Sequence, residues 1–365
     1  MVFVVAAVNA DPGYYISPIG NGRCEQLVVS RLVAGPPPGV AVAPNGDIYF
    51  IELKIQPNCN EPRLIVVRKN GSRARFALPP EASLKEQGQL GGIAALRVGS
   101  DGIPFITVAV RFSGAYSGVR EAVYSLRRAT WIREAFDSLP TEYRPTSNAG
   151  VGAVLTSVAY CVNWNYLKNT AVDLRALLAN PDLYRPVVSF VRRGLPDEVS
   201  SGTVTAMAGR FAAGFASRYR DEGIPQALRW EKVQREVLGR GVAFAVDRTG
   251  DTVGDNRSAI TERGQPMLWR HHYARVLSSG FGTALAVRNE TIVGTVDGRA
   301  FIADGKAVLP KARLLGPILG RSWSFSTAFA VAEHGDIVAI GTHSGESAPT
   351  LVRLIPVPKT ARHRT

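Results

Sequence analysis

A short two-strand pattern recurs along the chain, and it constrains the fold more than any other feature. Each copy has an apolar run that begins near a glycine, a polar turn, and a second apolar run that ends near a glycine. The composition is that of a β-hairpin, because β-branched and aromatic residues favour strands while Asn, Asp and Gly favour tight turns. The clearest copies are Gly241–Gly254, Gly282–Gly294 and Ser326–Gly341.

The copies follow one another at a period typical of propeller blades. Seven copies begin at positions 39, 91, 150, 202, 241, 282 and 326, with the weakest match at 150. Each hairpin precedes a second pair of strand-like runs, so a unit has about four strands. Examples of this second pair are Arg63–Arg68 with Arg75–Leu78, Pro266–Arg270 with Ala274–Leu277, and Arg299–Ala303 with Ala307–Leu309.

We therefore predict an all-β fold in which residues 1–358 form a single β-propeller domain and residues 359–365 a disordered basic tail. Four-stranded sheets packed around a channel cover one another's faces. Seven blades are expected, or eight if residues 1–38 form a blade of their own. The last repeat is short of its outer strand, so a strand from the N-terminal residues is expected to complete that blade and close the ring.

Three stretches have helical features. Residues 170–180 predict a short helical insertion, because Thr170 can cap its start and Pro181 follows its end. Helix-compatible residues at 119–136 and 224–238 leave an α+β fold as the rival.

The repeat also resembles a known family. The pattern Ala-x-Ala-Val before the turn and Gly after it is followed at Ala300–Lys306 by Ala-Phe-x-x-x-Gly-Lys. Together these motifs resemble the bacterial extracellular-type HAF repeat and, more loosely, the NHL repeat, with the clear match over residues 240–356. The resemblance implies a bacterial β-propeller and no particular activity.

The charge balance favours an anionic partner. The chain carries 43 basic and 30 acidic residues, a net charge of +13, which attracts anionic metabolites, polymers or protein surfaces. The basic residues are spread along the chain with no run of five or more, so nucleic acid is the weaker candidate. No apolar run reaches the roughly 18 residues that a bilayer span needs.

The number of cysteines indicates in which cellular compartment the protein is expected. Three cysteines, Cys24, Cys59 and Cys161, are not a disulfide framework and favour a cytoplasmic location. Cys24 and Cys59 would fall in loops of neighbouring repeats and could pair if the protein were exported. The apolar run Val2–Val8 is interpreted as a strand, and secretion is the alternative if the start truncates a signal peptide.

No diagnostic catalytic or metal motif stands out. The sequence contains no G-x-S-x-G, no H-E-x-x-H and no Cys/His cluster with zinc spacing. We expect neither a metal site nor a cofactor. The turn residues Asp47, Asp101, Asp251 and Asp336 are interpreted as hydrogen-bonding partners of their own backbone rather than as calcium ligands.

The candidate site lies in the loops that join second and third strands, which rim one end of a propeller's channel. Arginines there would suit carboxylate or phosphate recognition, and a desolvated carboxyl or imidazole could act as an acid or base. The predicted ligand-binding residues are Arg111, Tyr116, Asn163, Trp164, Arg218, Tyr219 and Arg257. The candidates for catalysis are Glu52, Asp221, Asp255 and His343.

Two functions remain open at this point. One is a propeller that binds an anionic small molecule or a protein partner through asymmetric Arg-rich loops at one end of the channel. The alternative is an enzyme of small-molecule metabolism, a lyase, cyclase or hydrolase, with its pocket at the channel mouth. A lectin with one ligand per blade is disfavoured, because the loops differ in length and content from repeat to repeat.

Overall fold

The chain forms four-stranded antiparallel sheets, six of them in the part that the structure describes. The structure is a computed structural model that describes residues 14–20, 40–43, 45–52, 63–79, 91–98, 102–112, 118–133, 202–208, 210–217, 224–231, 234–258, 262–271, 273–320, 322–346 and 348–357. The repeat copy at position 150, the helix expected over residues 170–180 and the basic tail lie outside the described residues.

The first twelve strands are β1 Tyr14–Pro18, β2 Val40–Val42, β3 Ile48–Glu52, β4 Arg63–Val67, β5 Arg73–Ala77, β6 Gly91–Val98, β7 Pro104–Phe112, β8 Gly118–Arg127, β9 Thr130–Arg133, β10 Gly202–Ala208, β11 Phe211–Ser217 and β12 Pro225–Glu231. The others are β13 Gln234–Arg240, β14 Val242–Val246, β15 Thr252–Asp255, β16 Pro266–Arg270, β17 Tyr273–Val276, β18 Gly282–Arg288, β19 Thr291–Val296, β20 Arg299–Asp304, β21 Arg313–Leu314, β22 Trp323–Val331, β23 Ile337–His343 and β24 Thr350–Pro356. A short helix, α1 Leu315–Leu319, follows β21.

Five of the sheets follow chain order: β2 to β5, β6 to β9, β10 to β13, β14 to β17 and β18 to β21. The sixth sheet has the order β22, β23, β24, β1, so its outer strand comes from the N-terminal region. Tyr14 lies opposite Pro356, and Pro18 lies opposite Val352. The predicted completion of the last blade by an N-terminal strand is confirmed.

The first strand of each sheet faces the centre of the ring. First strands of neighbouring sheets contact one another: β10 contacts β14, β14 contacts β18, and β18 contacts β22. Strand β2 contacts both β22 and β6. The contact between β22 and β2 joins the last sheet to the first. Hairpin sheets arranged in this way around a centre are the architecture of a β-propeller, and the all-β prediction is confirmed.

The structure does not support the α+β alternative, and it corrects the position of one predicted strand. Residues 224–238 and 119–136 do not support an α+β fold, because the described parts of both stretches form the third and fourth strands of their sheets, β12 with β13 and β8 with β9. Residues Ala307–Leu309 form a loop, and the fourth strand of that sheet is β21. Pro310 lacks the N–H that a strand pairing at this point would use.

A bulge in the first strand explains the glycine that ends each hairpin motif. In five sheets the register shifts inside the first strand. In four of them a glycine of the second strand lies opposite a shift, and in the β6 to β9 sheet Val108 does. A Cβ atom on Gly254 would lie 1.9 Å from the carbonyl oxygen of Val242, and one on Gly294 would lie 2.1 Å from that of Thr283. At Gly254 and Gly294 the bulge brings the two backbones too close for a side chain, whereas a Cβ atom on Gly341 would meet the side chains of Phe325 and Trp323. The four glycines are Gly214, Gly254, Gly294 and Gly341.

Arginines of the third strands join neighbouring blades. Arg270 of β16 donates from Nη1 to the carbonyl oxygen of Gly305 in the next sheet, at 2.6 Å. Arg353 of β24 donates from Nη1 to the carbonyl oxygens of Arg68 and Lys69, at 3.3 and 3.2 Å. Since Arg353 belongs to the last sheet and its acceptors to the first, the contact that links consecutive blades also closes the ring.

Candidate functional site

A cavity of about 800 Å³ lies on the axis of the ring. First strands of all six described sheets contribute to its wall, together with turns that join first strands to second strands. The cavity therefore occupies the end of the channel at which these hairpin turns lie. This end is opposite to the loops between second and third strands, where the sequence placed the site.

Small and apolar side chains form most of the described wall. Ala245, Ala286 and Ala330 occupy equivalent positions in β14, β18 and β22, each just after the bulge. Phe244 and Leu285 lie beside them and belong to one buried apolar cluster that reaches across several sheets. The wall can therefore hold the apolar body of a ligand.

Charged residues from three consecutive hairpin turns meet at the cavity. Glu333 Oε1 lies 3.3 Å from Arg248 Nη2 and 3.5 Å from Arg288 Nη2. Asn289 donates from Nδ2 to the backbone oxygen of Glu333 at 2.8 Å, which fixes the two turns relative to each other. Two guanidinium groups thus share one carboxylate, and this cluster carries one unit of positive charge in excess.

The pKa of the Arg288 guanidinium lies below its ordinary value. Burial is the largest cause, Glu333 counteracts it, and Arg248 lowers the pKa further. Burial penalises the charged form of a cation because the surroundings solvate it poorly. A second anion beside Arg288 would relieve that penalty, while Asp247, Asp251 and Glu290 add negative charge elsewhere in the wall.

Every acidic side chain in the described wall of the cavity already has a partner. Asp251 binds Arg270 through both of its oxygens. Asp247 Oδ1 accepts hydrogen bonds from the backbone N–H groups of Thr249 and Asp251, at 2.8 and 3.1 Å. Glu290 pairs with Lys306, and Glu333 is shared by the two arginines. His271 also lines the cavity.

The prediction that the turn aspartates hydrogen-bond their own backbone is wrong for Asp47, Asp251 and Asp336, whose carboxylates accept from residues of other strands or turns. Asp47 Oδ1 accepts a hydrogen bond from the distant backbone N–H of Lys69 at 2.9 Å, and Asp336 Oδ2 accepts one from Arg353 Nε at 2.9 Å. Asp101 lies outside the described residues. Within the described ranges, no group of three or more His, Cys, Asp or Glu side chains could hold a metal ion.

Two of the predicted site residues form a buried ion pair at the other end of the channel. Asp255 is 0% exposed and Arg257 is 2% exposed. Asp255 Oδ1 accepts from Arg257 Nε at 2.7 Å, and Oδ2 accepts from the Thr283 hydroxyl of the next sheet at 2.6 Å. The Arg257 guanidinium lies 5.5 Å from the ring centroid of Phe244. In this arrangement the pair holds neighbouring blades together and does not face solvent.

The other predicted site residues are scattered or lie outside the description. His343 ends β23 and packs edge-on against Trp323, with ring centroids 5.1 Å apart. Glu52 ends β3 opposite Arg63, and Arg111 lies in β7, where only its backbone position is described. Tyr116, Asn163, Trp164, Arg218, Tyr219 and Asp221 fall outside the described residues.

Arg248, Arg288 and Glu333 were missed by the sequence analysis, although the repeat carried a signal for them. When the copies are aligned on Ala-x-Ala-Val, the two positions that follow are Asp247-Arg248 in one copy, Arg288-Asn289 in another and Ala332-Glu333 in a third. A position that follows an inner strand and varies in charge from blade to blade is a candidate for an asymmetric site. The expectation that hairpin turns are only structural hid this signal.

Comparisons with known proteins give a fold-level likeness only. No protein-family model matches the chain, and no curated protein matches it. The β-propeller domain of the trilobed protease from Pyrococcus furiosus is 8% identical, with a TM-score of 0.36, over 86% of this chain and 80% of that chain. A putative oxidoreductase (glucose dehydrogenase) from Thermus thermophilus is 13% identical, with a TM-score of 0.40, over 94% and 100%. A xylan β-1,4-xylosidase from Bacillus halodurans is 10% identical, with a TM-score of 0.32, over 94% and 55%.

No helix among the described residues has the length and apolar character needed to cross a bilayer.

Proposed function

We propose that this propeller binds a small organic anion in the cavity at the hairpin-turn end of its channel. Arg248 and Arg288 hold the carboxylate or phosphate group, and the apolar wall holds the body of the ligand. The observation that carries this proposal is the sharing of one carboxylate, Glu333, by two guanidinium groups at the edge of the cavity.

The size and chemistry of the cavity support the proposal. A volume of about 800 Å³ is in the range of ordinary ligand pockets, which are mostly apolar with a few convergent polar groups. Guanidinium groups suit carboxylate and phosphate because their N–H groups form a planar fork that can donate two parallel hydrogen bonds. The net charge of +13 attracts anions to the molecule as a whole.

Binding is favoured over catalysis by the state of the acidic groups. The four acidic side chains in the described wall are held by arginine, lysine or backbone N–H groups. At the other end of the channel, Asp255 is enclosed by Arg257 and Thr283. The enzyme alternative therefore has less support among the described residues than the binding function has.

A ligand screen with matched variants tests the proposal. Isothermal titration calorimetry with octanoate, citrate and glycerol 3-phosphate should find binding that Arg288→Ala weakens by about tenfold or more, since a charged hydrogen bond to a ligand is lost. Arg248→Ala should weaken binding less, because its side chain is 72% exposed. Arg73→Ala is the matched control, because Arg73 is exposed at the start of β5, on an outer strand.

A gain-of-function variant makes the test stricter. Glu333→Gln removes the carboxylate that competes for the two arginines, so the same anions should bind more tightly to this variant than to the unaltered protein. Anions that bind equally well to Arg288→Ala and to the Arg73→Ala control would overturn the proposal, as would a panel in which no anion binds at all.

A further inference from the structure

Exposed apolar side chains cluster beside the outermost strand of the β14 to β17 sheet. Val308 is 92% exposed and Leu309 is 63% exposed, in the loop between β20 and β21. Tyr273 of β17 is 65% exposed and lies on the same face of the sheet as Arg275, whereas Val276, 47% exposed, lies on the opposite face. Single exposed apolar residues are ordinary, but a group of large ones marks a surface that meets a partner.

The loop and the strand form one continuous surface. The loop is attached at its start, where the carbonyl oxygen of Gly305 accepts the hydrogen bond from Arg270. It is attached again at its end, where the N–H of Ala312 donates to the carbonyl oxygen of Leu277 at 2.8 Å. Arg270 and Leu277 lie on the two sides of β17 in the chain, so the loop runs along that strand.

The loop presents Val308 and Leu309 outward from a fixed base. Pro310, the next residue, is buried, and so is Gly305 at the start of the loop. Proline has a fixed φ angle, which limits the ways in which the chain can turn back towards the core. The two side chains therefore stand at the tip of a projection.

Basic side chains surround this tip. Arg275 of β17 is exposed, and its guanidinium carbon lies 5.9 Å from the ring centroid of Tyr273. Lys311 is exposed just after the loop tip. Lys306 is also exposed, although Glu290 Oε2 lies 2.8 Å from its Nζ and offsets part of its charge.

We propose that this surface, termed the β17 surface and made of Tyr273, Arg275, Lys306, Val308, Leu309 and Lys311, docks on an anionic lipid bilayer. Val308 and Leu309 enter the boundary between headgroups and acyl chains, and the basic residues face the lipid phosphates. Apolar side chains flanked by Lys and Arg are the combination that holds proteins at such an interface. A projecting tip enters a fluid bilayer without needing the matching pocket that a protein partner would have to supply.

Vesicle sedimentation with the full chain tests this inference. The protein should sediment with vesicles that contain about one third phosphatidylglycerol in phosphatidylcholine, and much less with phosphatidylcholine alone. The double variant Val308→Asp/Leu309→Asp should lower the partition coefficient by about tenfold or more, because it places charge at the apolar boundary. Arg275→Glu/Lys311→Glu should lower it by a similar factor, and added salt should weaken binding of the unaltered protein.

Ile132→Asp is the matched control, since Ile132 is 44% exposed on the outer strand β9 of another sheet and should not affect binding. A gain of signal comes from Val308→Trp, whose emission should be quenched by brominated phosphatidylglycerol in the bilayer. The inference is overturned if the unaltered protein binds both vesicles equally or neither, if Ile132→Asp has the same effect as the double variant, or if the double variant unfolds. Conversion of a dimer into a monomer by the double variant, without vesicle binding, would assign the surface to self-association instead.

Discussion

The joint between the last and first sheets can be compared with the joint between two sheets that follow each other in the chain. At the closing joint, Arg353 binds Asp336 of its own sheet and two carbonyl oxygens of the first sheet. At the internal joint, Arg270 binds Asp251 of its own sheet and a carbonyl oxygen of the next. The chemistry is the same, although the contact of Arg353 with Arg68 joins residues 285 apart in sequence.

The two joints differ in how far water reaches them. The side chains of Arg353 and Asp336 are 4% and 6% exposed, whereas that of Arg270 is 30% exposed and that of Asp251 is 7% exposed. A buried charge that loses its partner cannot be rescued by solvent, and a partly exposed one can. The comparison indicates that the less exposed of the two ion pairs lies at the joint between the last and first sheets, whose blades do not follow each other in the chain.

Removing the closing arginine should give the largest effect. Arg353→Ala leaves Asp336 buried without its charged partner, and we expect the free energy of unfolding to fall by about 3–5 kcal/mol. Urea denaturation followed by circular dichroism measures it, with Arg73→Ala as the exposed control. A loss below about 1 kcal/mol would mean that the closing contact adds little to the stability of the ring.

The equivalent change at the internal joint should cost less. Arg270→Ala should lower the free energy of unfolding by about 1–2 kcal/mol, because Arg270 is the partly exposed partner and its removal opens a path for water to the buried Asp251. Arg270→Lys should recover only part of that loss, since an ammonium group cannot bind the carboxylate and the Gly305 carbonyl with the same fork. If Arg270→Ala proved as costly as Arg353→Ala, burial would not be the source of the difference.

The smallest effect should appear only at high pH. Burial raises the pKa of Tyr14, which lies in the strand that completes the last sheet, and Asp336 raises it further while Arg313 lowers it. Because the folded-state pKa lies above the unfolded value, this group's stabilising contribution is complete below about pH 10 and is lost as the pH rises through the folded pKa. Denaturation curves of the unaltered protein and of Tyr14→Phe should therefore diverge above about pH 10, with the variant less sensitive to alkali.

Tyr49, in the first sheet, provides the comparison for that test. Burial also raises its pKa, and its hydroxyl donates to the carbonyl oxygen of Gly102 at 3.3 Å. Tyr49→Phe should reduce the alkali sensitivity too, but with some loss of stability at neutral pH because a hydrogen bond is removed. Equal alkali sensitivity of the unaltered protein and both variants would show that neither phenol contributes to the pH dependence.

The hairpins and the closing strand could be predicted from the sequence because their signals are local. Turns such as Asn45-Gly46-Asp47 and the alternation of apolar residues around them depend on neighbours in the chain. The run Ala307–Leu309 has the composition of a buried strand, yet Val308 is almost fully exposed. Whether such a run is covered depends on the path of the next strand, which its own residues do not encode.

The position of the cavity could not be predicted for the same reason. It depends on the sizes of inward side chains from several blades, and on pairs such as Arg288 with Glu333, which lie 45 residues apart. Asp255 and Arg257 were predicted at the opposite end because both follow a second strand, but the sequence did not show that they would neutralise each other two residues apart. Residue type and loop position correctly indicated charged side chains at that end of the channel. Their role in the structure depends on the ion pair between Asp255 and Arg257.

The bulge in the inner strands separates two requirements that a repeat protein must otherwise meet with the same residue. In the β14 and β18 sheets the glycine of the second strand meets the backbone constraint, so Ala245 and Ala286 can vary in size without disturbing the pairing of their own sheet. Each of these two blades thereby offers one adjustable spacer to the central chamber. Substituting these spacers one at a time should let the chamber be narrowed by single methyl groups.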